Sequence, residues 1–277
     1  LTAAGCGAAT SPGAAPPTIQ VVTALYPLAQ AIQQVGGSTV SVIDVVPAGA
    51  NPRTYRLGPA QIAAVDHAAL AVEVGGFQPS FAAAAAGARA SVDVEARLAT
   101  SNPYIWLDPD LMSRAVIVIG AALAAANPPA AGVYRKNAQG FAAEVRSTGI
   151  DYESTLSTCP RRTIATADGA FAAIARHYDL SDLILGAATN PSPAQVAKAA
   201  QQITAAGVTT VFSEPFVPSA TVEAVASAAH AKVRDLDPLS GPPAGGWPHH
   251  PDYVQLLEEN LGALSAALGC PNNETGT

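Results

Sequence analysis

Charge is what this chain of 277 residues has least of: 13% of its residues are charged, and its 14 basic ones never gather into a cluster. Without clustered Lys and Arg to neutralise phosphates, a nucleic acid is not an expected partner, and the formal charge of −7 argues the same way. No apolar run approaches the roughly 20 residues that cross a bilayer as a helix. Familiar catalytic signatures are missing as well. The sequence has no G-x-S-x-G, no phosphate loop and no H-E-x-x-H, so an enzyme is not expected.

Cysteine is scarce, and its three positions sort by context. Cys6 follows Leu1-Thr2-Ala3-Ala4-Gly5 and precedes an Ala/Gly/Ser/Pro run to Pro17. Small residues directly before a cysteine resemble the end of a bacterial lipoprotein signal, which makes Cys6 the lipidation candidate and residues 1–17 a flexible tail. Its protein would then be extracytoplasmic and membrane-anchored, at the cell surface or in the periplasm. In that compartment Cys159 and Cys270 can pair and close a long loop; two separate buried thiols are the alternative.

What the chain does have is apolar residues, 49% of the total, arranged in short alternating patterns. The most telling stretch is 128–158. There Tyr134, Ala138, Phe141, Val145, Thr148, Tyr152 and Leu156 recur at steps of three and four, with charged residues between them. This is the pattern of one long helix, with Pro128-Pro129 in its first turn and Cys159-Pro160 ending it. At about 1.5 Å per residue it makes a rod of about 40 Å, long enough to tie two lobes together. On either side, short β-rich runs alternate with helical patterns. The expected architecture is therefore α/β: an N-terminal lobe over 18–127 and a C-terminal lobe over 159–277. Each would hold a mostly parallel four-stranded sheet flanked by helices, and the single interlobe helix would join them.

In open α/β sheets ligands bind beyond the carboxyl ends of strands. Those positions hold Tyr26, Asn51, Arg53, Tyr55 and Tyr104 in the first half and Asp168, Glu214, Asp237 and Ser240 in the second. Several of the stretches carrying them resemble the motifs of one family. Tyr26-Pro27-Leu28, the loop from Val46 to Tyr55, Asn102 to Pro109, Thr166 to Phe171, Phe212-Ser213-Glu214-Pro215 and Leu236-Asp237-Pro238-Leu239 occur in the order found in bacterial ABC-transporter solute-binding proteins that capture zinc or manganese. The resemblance runs from about Ile19 to Leu268. It implies two α/β lobes joined by a rigid helix, a ligand in the interlobe cleft, an ABC permease as partner and a monomeric protein.

The departures from that resemblance fall on the metal ligands. Its pattern of three histidines and a carboxylate lands here on Arg53, Tyr104, Asp168 and Asp237, and only Asp237 keeps the ligand type. Arginine has no lone pair for a metal, and without imidazole the preference for zinc is lost. Histidines elsewhere do not restore it: His67, His177 and His230 fall in or beside helices, and His249-His250 in a Gly/Pro-rich loop. Three readings stay open. Asp168, Asp237, Glu214 and Tyr104 can form an oxygen-rich pocket for a hard cation such as manganese. Alternatively, the Arg53 guanidinium can replace the metal and pair with Asp168 and Asp237, leaving nothing bound. In the third, Arg53 and the carboxylates hold a small organic ligand. A lipoprotein that kept the fold as an adhesin after losing its ligand is the competing class of function.

Overall fold

The computed structural model describes residues 17–186, 191–249 and 251–271; Cys6, His250 and most of the N-terminal tail lie outside them. Its first half is built on four parallel strands, β1 (Ile19–Thr23), β2 (Val40–Asp44), β3 (Leu70–Glu73) and β4 (Ser91–Asp93), in the order β2-β1-β3-β4. Val21 and Val22 of β1 pair with Val42 and Ile43 of β2 on one side and with Leu70 and Ala71 of β3 on the other. A central parallel strand is covered on both faces, and so Val21, Val22, Ala71 and Val72 are all fully buried. Helices α1 (Tyr26–Gly36), α2 (Pro59–His67), α3 (Pro79–Ala85), α4 (Val94–Leu98) and α5 (Pro109–Ala126) complete this half.

The second half carries β5 (Thr163–Thr166), α7 (Ala172–His177), β6 (Ser181–Ile184), α8 (Pro193–Ala205), β7 (Thr210–Ser213), α9 (Ser219–Ala228), β8 (Lys232–Asp235) and α10 (Tyr253–Leu268). All pairing here is parallel too, but the expected four-stranded sheet is divided into two hydrogen-bonded pairs, β5-β6 and β7-β8, with β5 and β7 side by side. The boundary between them ends just past Thr166 of β5 and Ser213 of β7. There the Glu214 carboxylate, rather than a strand carbonyl, accepts the amide of Ala167.

Between the halves runs α6 (Ala131–Leu156), and every residue of the apolar stripe predicted for it is buried. At an ideal rise it is about 39 Å long. The two prolines do not form its first turn; they make a separate 3-10 turn, Pro128–Ala130, ended by Ala130 at φ −98° and ψ 2°. Toward its start, α6 is tied to the first half, where Tyr134 Oη accepts from Thr39 and Asn127, and Asn137 donates to the Val35 carbonyl. Toward its end Tyr152 donates to the Leu257 carbonyl of α10 at 2.7 Å. Helix α5 is apolar enough to cross a membrane by length and composition, yet half of it is buried against the core. It approaches α6 closely because Gly120 leaves room: a Cβ there would stand 2.6 Å from Ala138 Cβ. Cys159 and Cys270 form a disulfide, which excludes two free thiols and links the end of α6 to the end of α10.

Candidate functional site

Asn51 makes the turn that presents Arg53. Its Oδ1 accepts from the Arg53 amide at 3.0 Å, and its carbonyl accepts from the Tyr55 amide. The Arg53 side chain then lies over two rings, with Cζ 5.4 Å from the centre of Phe77 and 5.8 Å from that of Tyr104. Nη1 donates to Tyr104 Oη at 2.8 Å. Tyr104 is itself fixed by Asn102, whose Oδ1 accepts its amide, and by edge-on packing with Phe77 and Trp106. Burial raises the Tyr104 phenol above its ordinary range, and Asp168 adds to the rise while Arg53 opposes it. The hydroxyl thus accepts from a cation of the first half and feels the charge of an anion of the second.

On the facing wall, Asp168 follows β5 and Glu214 follows β7. Glu214 is 5% exposed, and its Oε1 accepts from the amides of Ala167 at 2.7 Å and Asp168 at 3.3 Å. Its Oε2 is buried with no hydrogen-bond partner. Burial, then the neighbouring Asp168 carboxylate, push the Glu214 carboxyl up to about 8. Asn51, Arg53, Tyr104, Asp168, Phe216 and Ser240 surround a cavity of about 130 Å³ between the halves. Phe216 holds a left-handed φ of 68° there, a strained choice for a bulky side chain.

Asp237 is placed differently. Its Oδ1 accepts from the Leu239 amide at 2.7 Å, and its Oδ2 accepts from Trp247 Nε1 at 2.7 Å. It faces a second pocket of about 470 Å³ rather than the Arg53 cavity. The Arg53 fork to Asp168 and Asp237, one of the three open readings, is therefore not formed, and among the described residues Arg53 makes no ion pair. Nor do Asp168, Glu214 and Asp237 bring oxygens within 4.8 Å of one another. The reason is local: a phenol and two ring faces hold the guanidinium, while an amide and an indole occupy the aspartate.

Further residues shape the region. Phe77 and Phe216 line it without any pattern in the sequence that sets them apart from core positions. Trp247, whose ring packs against Tyr26 at 4.5 Å and a tilt of 56°, was hidden in a Gly/Pro-rich loop. His177, set aside in the sequence as remote, has Nδ1 2.7 Å from Asp108 Oδ2 and so bridges the halves; Asp108 Oδ1 meanwhile caps α5 by accepting two of its amides. Trp106 adds a second bridge, donating Nε1 to the Pro238 carbonyl at 2.7 Å. Tyr253 Oη donates to the carbonyl of Trp106 in turn.

Comparison with known proteins matches residues 21–267 to the family profile described as "ZnuA: Zinc-uptake complex component A periplasmic". Among curated proteins, the chain is similar to the high-affinity zinc uptake system protein ZnuA of Bacillus subtilis, at 23% identity over 97% of this chain and 94% of that protein. Among solved structures it resembles the Zn(II)-bound ZnuA-like domain of Streptococcus pneumoniae AdcA, with a TM-score of 0.81 and 22% identity over 91% of this chain and 99% of that one. It also resembles the laminin-binding protein Lmb of Streptococcus agalactiae, described as a bifunctional protein with adhesin and metal transporting activity. There the TM-score is 0.80 and the identity 25%, over 90% of this chain and 99% of that one.

Proposed function

The chain belongs to the periplasmic zinc-uptake component A family, and from that membership we propose that it is an extracytoplasmic solute-binding protein of a metal-type ABC importer. The lobes over 18–127 and 159–277 hold the cargo between them, with 128–158 as the spacer. Asp168, Glu214 and the Tyr104 hydroxyl are the proposed donors, while Asp237 faces the neighbouring pocket and is not among them. Oxygen donors suit a hard divalent ion such as manganese better than zinc, which favours imidazole. Arg53, restrained by Tyr104 and Phe77, sits at the edge of the cavity.

The observation that carries this reading is the buried Glu214 carboxyl, with one oxygen unpartnered and a second carboxylate beside it. A divalent cation compensates both charges at once. Isothermal titration of the chelator-treated protein with manganese, zinc and iron, with metal content by mass spectrometry, tests it. Manganese is expected to bind one-to-one, and Asp168→Asn to weaken it at least about tenfold, since the variant removes one of the charged oxygen donors. Absence of binding by all three ions, or an unchanged affinity in the variant, refutes it.

We infer the rest of the functional picture from the same membership together with the small residues that precede Cys6. The partners are an ABC permease and the cargo, and the protein acts as a monomer. Anchoring is through a lipid on Cys6, and the Cys159–Cys270 disulfide fits an oxidising compartment. A second reading, adhesion, is favoured by the likeness to the laminin-binding Lmb. A metal-free protein that retains laminin binding distinguishes it.

A further inference from the structure

The cavity of about 130 Å³ between the halves has two walls of opposite chemistry. On the side of the second half Asp168 lines it, with Glu214 next to Asp168, so that wall offers acceptors. On the side of the first half it is lined by Arg53 and Asn51, and both present N–H donors. Arg53 spends one N–H on Tyr104 Oη, and among the described residues its side chain donates to no other group. Phe77 and Tyr104 restrain the guanidinium at this place through their rings. Asn51 Oδ1 is taken by the Arg53 amide, which leaves the Nδ2 donors over; among the described residues they meet no acceptor. One side of the cavity thus suits a cation and the other an anion.

We propose that the cargo is held as a ternary complex, in which a small planar oxyanion of the carbonate or carboxylate type lies between the divalent ion and Arg53. This deepens the reading of the cleft as a metal site and rests on it. The charges point the same way. Asp168 and Glu214 match the double charge of the ion, so Arg53 remains as a positive group lining the same space, where it repels a bare dication. An anion between the two turns that repulsion into two attractions. Coordination agrees, because the oxygens of Asp168, Glu214 and Tyr104 leave open positions on a hard ion that prefers octahedral oxygen ligands. A planar oxyanion fills them on one side and accepts the guanidinium fork on the other. The cavity is several times the roughly 30 Å³ of one water, so an ion and a carbonate fit together.

Calorimetric titration of the chelator-treated full chain with manganese tests the assignment, in degassed bicarbonate-free buffer and again with about 1 mM bicarbonate or formate. Manganese affinity is expected to rise at least about tenfold with the anion, because each ligand strengthens the other. A gain with bicarbonate alone assigns a carbonate; a gain with formate as well assigns a site for carboxylates. Arg53→Gln should lose the gain while its melting curve matches that of wild type, since Arg53 is exposed, and Arg53→Lys should keep part of it. Manganese affinity that is the same with and without the anions overturns the ternary complex and leaves the metal site standing. So does a gain that Arg53→Gln retains in full. Absence of manganese binding in every buffer overturns the metal site and the ternary complex together.

Discussion

Replacing Glu214 with glutamine isolates what the buried carboxyl of the cleft costs the fold. Burial and the adjacent Asp168 raise this group from an ordinary 4.5 to about 8, so the folded state holds its proton far more tightly than the unfolded chain does. The sign follows from that. Below about pH 4.5 both states are protonated and the group is neutral to stability. As pH climbs from there toward 8, the unfolded chain ionises first and stability falls, by up to about 1.4 kcal/mol per pH unit, before levelling off. The full loss is on the order of 3–5 kcal/mol. Glutamine cannot ionise and keeps an oxygen for the Ala167 amide, so E214Q removes this fall. Asp44, raised to about 7 by burial, and Asp182, raised to about 6, contribute to both proteins and cancel in the difference. Urea denaturation of chelator-treated wild type and E214Q from pH 5 to 9 measures it. The curves should diverge steadily, with the variant more stable at pH 8–9. Parallel curves across that range would refute the account of the buried acid.

Three further outcomes follow. Manganese binding near pH 7 should expel close to one proton from Glu214, seen as a dependence of titration heat on buffer ionisation enthalpy, and affinity should rise by up to about tenfold between pH 7 and 8. Removing the Cys159–Cys270 link, with its separation of 111 residues, should cost about 5 kcal/mol and lower Tm by about 8 °C in a calorimetric scan of the double Cys→Ser variant. Arg53→His should give the cleft measurable zinc affinity, because it exchanges a side chain without a lone pair for an imidazole; a variant with no zinc binding at all argues against Arg53 as a cleft position.

The long helix was legible because seven residues of its stripe repeat at a helical period over about six turns, a signal that burial alone can produce. Strand–helix alternation was legible in the same way, and Asp168 does follow β5, whereas Tyr104 comes after α4 and Arg53 lies nine residues beyond the end of β2. Where the chain comes back on itself, the sequence was silent. It offered the second half as one four-stranded sheet, whereas a side chain, Glu214, supplies an acceptor at the β5–β7 boundary.

Periodicity and spacing therefore determined the elements, their order and the set of polar side chains available to a cleft. Which of those side chains meet was decided only in three dimensions. Arg53 turns to a phenol and Asp237 to an indole, and His177 reaches Asp108 across 69 positions of chain. Such pairings depend on contacts between residues far apart in sequence, and no local pattern encodes which of several chemically equivalent partners lies nearest once the core has packed.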